Sequence, residues 1–419
     1  MNADSPPLFQ AAGPIAAPGE AAVAAPAALR GEINVRITRR IEDVEAVWRS
    51  LAERSIESPG QSYDFIRLWV EDRKLPLEAQ RYVVGEVDGQ PVALLPLHRK
   101  RVRGIPVFTW FPGSNVGCYA PVADYDRLAA LGILGRAALW RAMTSQLTGA
   151  DLVYLRSIPV EVGGYEGLFD ELGSSLAIET LYRAEFSSWE ECDRVQRSRS
   201  RRKHDRQQGD RLGALGRVEF EEIADPERME QAICTMFRQR SARFRAQGIR
   251  DTFVADGLIG FYRNAARPGS GLDVRLHVLR LEGEIVAVRY NLVHGDRMFC
   301  LISSMSDDPT IQGGSPGKQC LLRVMQTVFD QGHAVFDMGS GFTDEKRHWC
   351  NRQIPLRQHY IGLTQRGLMI LAAHRAFQRL RAWAKANPAV KAALRGIRQA
   401  ADGILGRQGS GSPKGSDQL

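Results

Sequence analysis

The sequence predicts an α/β protein with a mixed β-sheet, made of two similar halves. Strand-like and helix-like segments alternate along the chain, and one hairpin with flanking helices occurs twice. The chain contains 44% hydrophobic and 25% charged residues, which is the usage of a globular protein and excludes a mainly disordered or fibrous one. At 419 residues it is longer than one ordinary domain, so we expect two domains with tails.

Hydrophobic spacing defines the elements of the first half. The turn Asp88-Gly89 between two apolar runs is typical of a β-hairpin. The predicted strands are 35–37, 81–87, 91–97, 107–111, 151–155 and 181–186, and the predicted helices are 42–54, 64–72 and 127–147.

The second half repeats this order. Its hairpin, LHVLRLEGEIVAVRYNL, aligns with YVVGEVDGQPVALLPL of the first half, which indicates duplication; the alternative is that any two hairpins with a glycine turn look alike. The predicted helices are 226–248 and 317–331, and the predicted strands are 274–281, 285–292, 297–303 and 334–338. We place the boundary near Phe186, where Ser188 is expected to cap a helix and Glu191 to complete a capping box. That helix is expected to carry the basic run 194–206.

A glycine-rich loop before helix 317–331 is the first candidate site. It consists of Gln312, Gly313, Gly314, Ser315, Pro316, Gly317 and Lys318. Glycine lets backbone N–H groups approach a ligand, and the free N–H groups of a first helical turn attract phosphate. Ser315 is the expected N-cap and Pro316 the expected first helical residue. The loop matches neither a Walker A nor a Rossmann fingerprint, and an ordinary turn into a helix remains the alternative.

The second candidate site follows the strand 334–338. Asp337 ends that strand, and we expect it to orient a nucleophile or accept its proton. Lys346 is expected to bind a phosphate or to stabilise developing negative charge. Structural ion pairs are the alternative for both residues. His348 is a weaker candidate for a base, and dispersed Ser, His and Asp residues argue against a triad.

Cysteine spacing and the absence of long apolar runs bear on location. The six cysteines include no pair two residues apart, so we expect free thiols in a reducing cytoplasm and no metal site. No apolar run reaches membrane-spanning length, and residues 1–32 are expected to be a disordered leader rather than a signal peptide.

The net charge of +8 lies near the C-terminus. Residues 366–419 hold ten Lys and Arg against two Asp, so residues 1–365 are neutral overall. Segment 366–405 is expected to form two basic amphipathic helices split at Pro388, with Trp383 among the apolar residues, before a disordered tail 406–419. Such helices would lie on an anionic membrane or pack on their own domain, and both alternatives stay open.

The chain resembles the GNAT-like acyltransferases of the CelD/BcsL type, associated with bacterial cellulose biosynthesis. The resemblance covers most of residues 35–363 and rests on QSYDFIRLWV, VDGQPVALLPLHRKRVRG and FPG in the first half. In the second half it rests on SRSRRKHDRQQGDRLGALGRVEF, LEGEIVAVRYNL, SPGK and FDMGSGFTDEKRHWC. It implies two tandem GNAT-like halves, 33–185 and 186–365.

The resemblance also implies a reaction. The donor would be acetyl-CoA or another acyl-CoA, with the loop 312–318 cradling its pyrophosphate and N–H groups near residues 290–292 holding the thioester oxygen. The loop departs from the usual Gln/Arg-x-x-Gly-x-Gly/Ala signature because Ser315 occupies its fourth place. Lys346 and Trp349 match the Lys-x-x-aromatic signature of the related Fem-type peptidyltransferases, which use aminoacyl-tRNA.

Three functions follow as expectations. The first is acyl transfer from acyl-CoA to an amine or hydroxyl of a small molecule or saccharide in cellulose, exopolysaccharide or envelope biosynthesis. The second is aminoacyl-tRNA-dependent transfer, which the basic run 194–206 also favours. The third is a non-catalytic scaffold. No DNA partner is expected, the location would be cytoplasmic or peripheral to the inner membrane, and the first half is expected to lack a donor site because it has no phosphate loop.

Overall fold

A computed structural model of the chain describes residues 31–54, 56–111, 116–248 and 250–386. The predicted leader 1–32, except for its last two residues, lies outside this part, as do the predicted second basic helix after Pro388 and the tail 406–419. Side chains are described only as far as Phe377, so the predicted apolar role of Trp383 also falls outside.

The first half alternates strands and helices as predicted. Its strands are β1 (Ile33–Thr38), β2 (Gln80–Val87), β3 (Gln90–Val102), β4 (Ile105–Thr109), β5 (Val122–Ala123), β6 (Leu152–Pro159), β7 (Glu161–Val162), β8 (Tyr165–Glu166) and β9 (Ser174–Glu185). Its helices are α1 (Glu45–Ala52), α2 (Tyr63–Arg73), α3 (Tyr125–Ala130) and α4 (Gly132–Ser145), with 3-10 turns at Ile41–Val44, Pro59–Gln61 and Leu77–Ala79. The single helix predicted over 127–147 is wrong, because Gly132 adopts φ +64° and interrupts it.

The second half repeats the order. Its strands are β10 (Val218–Ile223), β11 (Asp273–Leu281), β12 (Glu284–His294), β13 (Arg297–Met305), β14 (Val335–Ser340) and β15 (Arg352–Gly362). Its helices are α5 (Trp189–Gln196), α6 (Arg199–Gly213), α7 (Pro226–Ala246), α8 (Thr252–Ala255), α9 (Leu258–Ala265), α10 (Pro316–Asp330), α11 (Asp344–Trp349) and α12 (Gln365–Ala386), with a 3-10 turn at Gln312–Gly314.

The start of α5 is confirmed, but its extent is not. The Ser188 hydroxyl accepts a hydrogen bond from the Glu191 N–H, as the capping prediction requires. The Glu191 carboxylate reaches back one residue further than expected, to the Ser187 N–H at 2.9 Å. The basic run 194–206 does not lie on this one helix, because α5 ends at Gln196 and Ser198 caps the separate helix α6.

One mixed sheet runs through the molecule and supports the predicted duplication. Its order is β1-β2-β3-β4-β6-β15-β9-β14-β13-β12-β11-β10. From either edge, the sheet begins with an antiparallel ladder and continues with a parallel pair of strands. That pair is β4 with β6 in the first half and β13 with β14 in the second. At the centre the halves exchange their last strands, because β15 pairs with β6 and β9 pairs with β14. The two halves therefore form a single mixed α/β sheet.

The halves also meet through their helices. The ring of Phe65 on α2 lies 5.0 Å from that of Phe261 on α9, edge to face, and Trp69 lies 5.2 Å from the same ring. One hydrophobic cluster on this face includes buried residues of both halves, whereas α10 and α5 cover a second cluster on the opposite face of the second half.

Strand exchange predicts that neither sequence half folds alone. Fragment 33–185 would lack β15 beside β6, and fragment 186–365 would lack β9 beside β14, which leaves buried ladder edges unpaired. We expect each fragment, expressed separately, to show no cooperative thermal unfolding, and co-expression to restore it. A fragment 174–365, which returns β9, is the control and should be the more soluble form of the second half. Cooperative unfolding of 186–365 by itself would contradict the exchange.

Candidate active site

An open wedge lies between β13 and β14. The strands pair in parallel from Arg297–Val335 to Phe299–Asp337, and the ladder then ends although β13 continues to Met305. Within the described residues, the outer edge of 300–305 therefore has no strand partner. The pairing of β13 with β12 also shifts at Leu301, which lies between the pairs Ile302–Tyr290 and Cys300–Asn291. Such a bulge changes the direction of the backbone N–H and C=O groups at that point of the strand.

The wedge corrects the predicted position of the thioester-binding N–H groups. Residues 290–292 lie on β12, which pairs with β11 on one side and β13 on the other. Their backbone groups belong to a two-sided ladder and are not offered to a ligand. The strand with an open edge is β13, one strand further along the chain.

The corresponding wedge in the first half is closed by its own side chains. The parallel ladder of β4 and β6 ends at Phe108–Val153. Beyond it the Trp110 indole N–H donates to the Arg156 carbonyl at 3.1 Å, and the Tyr119 N–H donates to the Ser157 carbonyl at 2.9 Å. Both aromatic rings are buried and stack 6.1 Å apart. This packing fits the expectation, still untested, that the first half has no donor site.

The loop predicted to bind phosphate connects β13 to α10, at the open end of the wedge. Pro316 is the first residue of α10, as predicted. Ser315 occupies the N-cap position, but its predicted capping bond is absent: the residue is left-handed at φ +48°, and its hydroxyl accepts instead from the Gln208 amide at 2.8 Å. The Gln312 amide donates to the Ser306 carbonyl at 2.7 Å and so braces the loop.

The glycines of this loop differ in their surroundings. A Cβ on Gly314 would lie 2.7 Å from the Cβ of Leu212 on α6, and one on Gly317 would lie 2.9 Å from the Met305 sulfur. A Cβ on Gly313 would meet nothing within 4 Å. Lys318 is exposed. Gly314 therefore serves packing against α6, and Gly313 and Lys318 are the parts of the loop that remain open to a ligand.

Adjacent alanine substitutions separate these two roles. We expect Gly314→Ala to destabilise the fold by about 1–3 kcal/mol, because a backbone-attached atom of Leu212 must move. Gly313→Ala is its matched control and should change the free energy of unfolding by less than about 0.5 kcal/mol. Urea denaturation of both variants makes the comparison. An equal loss of folding free energy in the two variants would contradict the packing role of Gly314.

Lys346 lies where β14 ends. Thr343 caps the short helix α11 by accepting from the Lys346 N–H. The Lys346 ammonium donates to the Ser340 carbonyl at 2.5 Å. Burial lowers the pKa of this amine from its usual value of 10.5. Lys346 is thus a partly buried cation that loses its proton more readily than an ordinary lysine.

Three residues of the site escaped sequence reasoning. Arg289 on β12 is buried, with its guanidinium 3.7 Å from the sulfur of Cys300 and 3.6 Å from the carboxylate of Glu345. The same guanidinium lies 3.4 Å from the carbonyl of Gly317 in the first turn of α10. An arginine inside a strand that otherwise reads as apolar was the available signal. The sequence around Cys300 and Glu345 contains no comparable signal.

Asp337 belongs to a buried ion network that joins the two halves. Arg183 on β9 donates through Nε to Asp337 at 2.7 Å and contacts Glu57 of the first half through Nη1 at 2.7 Å. Arg297 lies 2.9 Å from the same Glu57. The second oxygen of Asp337 accepts from the Gly339 N–H at 2.8 Å. With both oxygens engaged, Asp337 is better placed to hold the end of β14 than to accept a proton.

This network predicts acid sensitivity. Burial opposes ionisation of Glu57, but Arg183 and Arg297 outweigh it and lower its pKa from 4.5 to about 2. Since the folded pKa lies below the unfolded one, the carboxylate stabilises the fold fully above pH 4.5, and this contribution is lost as the pH falls towards 2. We expect Glu57→Gln to be less stable at pH 7 and to lose less further stability over that interval, as measured by urea denaturation. If the free energy of unfolding fell equally for both proteins as the pH dropped from 4.5 towards 2, the stabilising role of the Glu57 carboxylate would be contradicted.

The remaining predicted residues, His348 and Trp349, belong to α11. The ring of His348 is bonded through Nδ1 to the Asp344 carbonyl at 2.6 Å, within its own helix. Trp349 is buried, 6.2 Å from the ring of Trp189, so it anchors α11 to α5. No group of His, Cys, Asp or Glu in the described ranges could hold a metal ion.

The basic run divides into paired and unpaired cations. Arg197, Arg201 and Arg202 form ion pairs with Asp193 or Asp205. The exposed cations of the run that have no ion pair among the described residues are Arg194, Arg199, Lys203 and Arg206. Of these, Arg206 lines a cavity of about 620 Å³ between α5, α6 and α10, together with the paired Arg197 and Arg202.

Residues 199–347 match the family model described as an acetyltransferase (GNAT) domain. A comparison with curated proteins finds no match.

Solved structures resemble this chain at low identity. The C-terminal domain of a putative lysylphosphatidylglycerol synthetase from Agrobacterium fabrum is 12% identical, with a TM-score of 0.48, over 80% of this chain and 96% of that one. FemX is 13% identical, with a TM-score of 0.47, over 71% of this chain and 95% of the FemX chain. A tandem GNAT protein from the clavulanic acid biosynthesis pathway is 10% identical, with a TM-score of 0.42, over 80% of this chain and 99% of that one. At this level of similarity they say nothing about the activity of this chain.

The family match covers the strands and loop that form the wedge. Segment 199–347 includes β13, the loop 312–318, α10, β14 and most of α11. The second half therefore carries a GNAT acetyltransferase domain, and the protein is an acyltransferase enzyme of GNAT type.

Proposed function

We propose that this protein transfers an acyl group, in the first place acetyl, from acyl-CoA to an amine or hydroxyl acceptor in the wedge between β13 and β14. The open edge of β13 beside the start of α10 carries the proposal. A thioester seated there would meet unpaired N–H groups near the bulge at Leu301, which suit the developing oxyanion. The exposed Gly313 and Lys318 suit the phosphates of CoA.

Lys346 supplies the charged group of the proposed reaction. The acceptor attacks the thioester carbon, the carbon–sulfur bond breaks, and the acceptor's proton is released while the leaving thiolate gains one. A lysine with a lowered pKa can stabilise the oxyanion as a cation and then protonate the thiolate. Asp337 and Arg183 would act as positioning residues by holding the end of β14 beside Lys346.

Release of free thiol measures the donor directly. The intact protein would be incubated with acetyl-CoA or longer acyl-CoAs and a panel of amino sugars, diamines and saccharides, including cello-oligosaccharides and envelope precursors. We expect thiol release that depends on both donor and acceptor, and binding of free CoA by calorimetry. No binding of any acyl-CoA would contradict the proposal.

An aminoacyl-tRNA donor is the second candidate, and the unpaired cations of α6 favour it. Arg199, Lys203 and Arg206 are exposed on one helix beside the loop 312–318. Changing all three to glutamine should weaken tRNA binding and flatten its salt dependence. The same changes at Arg238, Arg243 and Arg245, which are exposed on α7, should leave tRNA binding and its salt dependence unchanged. Transfer of a radiolabelled aminoacyl group decides between the donors, and no tRNA binding at low salt would remove this candidate.

Contact with an anionic membrane through 366–405 is a further proposal. In the described part of α12, Leu368, Met369 and Phe377 are exposed near Arg366 and Arg375. None of the described helices is both long and apolar enough to span a bilayer. Vesicles containing phosphatidylglycerol should sediment the full chain more than a version ending at Gln365, and equal sedimentation would contradict the contact.

A further inference from the structure

The start of β4 and its neighbouring strands carry a second group of unpaired cations. Register brings these strands to one end of the sheet: β1 stops where β2 starts, β2 starts near the end of β3, and the pair Val102–Ile105 closes the turn into β4. None of these strands belongs to the wedge. The cations at this end that form no ion pair among the described residues are Arg39, Arg81, Arg99, Lys100, Arg101 and Arg103, here called the basic end.

Few acids offset this charge. Asp43 and Glu78 are the acids next to the basic end that lack an ion pair among the described residues, whereas Glu42 and Asp151 are each paired with another arginine. Six cations against two acids leave an excess of four positive charges. The basic end therefore attracts anions.

Arg81 shows how closely these like charges are gathered. Its side chain is buried, and its guanidinium donates to the Glu78 carbonyl at 2.9 Å and to the Gln80 carbonyl at 2.6 Å rather than to a carboxylate. Burial lowers the pKa of Arg81, and the charges of Arg39 and Arg99 lower it further. An anion bound here would relieve this repulsion.

A cavity of about 340 Å³ opens in the basic end. The residues that line it are Ala79, Arg99, Lys100, Arg101, Pro106 and Gly149, so its charged walls are all cationic. Arg99 donates to the Gly149 carbonyl at 3.2 Å and Arg101 to the Gly104 carbonyl at 3.1 Å. These neutral acceptors orient the guanidinium groups and leave their charge free for a phosphate.

Exposed aliphatic side chains accompany these cations. Val102, at the turn between β3 and β4, is 41% exposed, and Leu77, in the 3-10 turn before β2, is 49% exposed. The aromatic residues of these strands, Tyr82 and Phe108, are fully buried. Cations mixed with aliphatic residues suit a lipid surface, whereas a surface for single-stranded nucleic acid would offer aromatic rings for stacking.

The start of α12 adjoins the basic end. The Asp151 N–H donates to the Pro106 carbonyl on β4 at 2.9 Å, and the Asp151 carbonyl accepts from the Leu363 N–H at 2.9 Å, two residues before α12. The β3–β4 hairpin of the first half is thereby joined to the segment for which contact with an anionic membrane is proposed.

We propose that the basic end docks on an anionic phospholipid surface, with a headgroup phosphate in the cavity lined by Arg99, Lys100 and Arg101. Val102 at the tip of the hairpin would contact the lipid. The inference does not depend on acyl transfer, and it adds a second docking surface to the contact proposed for α12. It gives the first half, where no donor site is expected, a binding role of its own.

Sedimentation of the full chain with vesicles tests the surface. The vesicles would contain phosphatidylcholine alone or mixed with phosphatidylglycerol, and we expect binding to the mixed vesicles. The test variant replaces with glutamine the cations of the β3–β4 hairpin, Arg99, Lys100, Arg101 and Arg103. We expect it to weaken binding at least about tenfold. Unchanged binding would overturn the proposal and leave α12 as the remaining candidate.

A charge-matched control separates this surface from net charge. It replaces with glutamine four exposed cations of the second half, Arg238, Arg243, Arg245 and Arg250. We expect it to weaken binding by less than about threefold, because these residues lie on or just after α7. Equal weakening in both variants would show that only net charge matters and would overturn the proposal.

Two further measurements identify the partner as a lipid surface. Val102→Ser keeps every charge and should weaken vesicle binding at least about threefold, whereas Val254→Ser, at a valine that is 53% exposed on α8, should leave it unchanged. Inorganic phosphate and tRNA would be titrated separately. Binding of either through the hairpin cations, without binding of vesicles, would assign the surface to that anion and overturn the proposal.

These outcomes are separable from the proposed function. Vesicle binding requires no donor or acceptor, so a protein that transfers no acyl group can still confirm the docking surface. Acyl transfer between soluble substrates, together with vesicle binding that ignores the hairpin cations, would do the reverse. Should the fourfold hairpin variant fail to show cooperative unfolding, the exposed pair Arg101→Gln and Arg103→Gln against Arg243→Gln and Arg245→Gln gives the same comparison.

Discussion

Replacing Lys346 with methionine is expected to lower kcat for acyl transfer by about 100-fold or more. Methionine keeps the apolar stem but removes the ammonium that bonds the Ser340 carbonyl. The donor phosphates lie elsewhere in the proposed complex, so KM for the donor should change by less than about threefold. Initial-rate kinetics with the donor that supports turnover measure both constants.

Two further variants distinguish catalysis from general damage. Arg347→Met is the matched control on the same helix, because Arg347 is exposed and, within the described residues, pairs with Asp344 alone; we expect it to keep wild-type kcat. Lys346→Arg keeps the charge but cannot readily lose a proton, so it should recover part of kcat. If Lys346 acts in its protonated form, wild-type kcat should fall as the pH rises through its lowered pKa. If Lys346→Met kept the wild-type kcat, Lys346 would have no part in the reaction.

Replacing Arg183 with methionine is expected to cost about 3–5 kcal/mol of folding free energy. The change leaves Asp337 without its cation and Glu57 with only Arg297. Both carboxylates are buried, so water cannot replace the lost contacts. Urea denaturation at pH 7 measures the loss.

A surface pair gives the control for Arg183. Arg36 lies 3.1 Å from Glu86 but its side chain is 57% exposed, so Arg36→Met should cost less than about 1 kcal/mol. Activity adds a second readout, because Asp337 holds the end of β14 beside Lys346. If Arg183→Met remains within about 1 kcal/mol of the wild type, the network does not stabilise the junction of the halves.

Local sequence patterns predicted most of the fold. Apolar spacing and the turns Asp88-Gly89 and Glu282-Gly283 located both hairpins to within a few residues. The strand exchange was not predictable, because β15 was not among the predicted strands and β9 looks the same whichever half it pairs with. The break at Gly132 was missed because apolar spacing continues on both sides of it.

The candidate site was predicted less completely, for a physical reason. A loop before a helix, such as 312–318, is a local pattern and could be read directly. The contacts of Arg289 with Cys300 and Glu345, and of Asp337 with Arg183, join residues distant in the chain. The packing role of Gly314 likewise depends on Leu212 of α6, about a hundred residues earlier. The family resemblance anticipated GNAT-type acyl transfer, whereas its cellulose association remains a prediction.

Alkylation of Cys300 tests the central claim, that the donor occupies the wedge of the second half. Cys300 is partly exposed on β13 beside the bulge, Cys234 is exposed on α7, and the other four cysteines are buried. Intact protein would be treated with iodoacetamide, with and without a saturating non-transferable analogue of the donor that supports turnover. Peptide mass spectrometry would give the rate at each cysteine. We predict that the analogue slows labelling of Cys300 at least about tenfold and leaves Cys234 unchanged. Equal labelling of Cys300 at full saturation would place the donor outside the wedge and contradict the account.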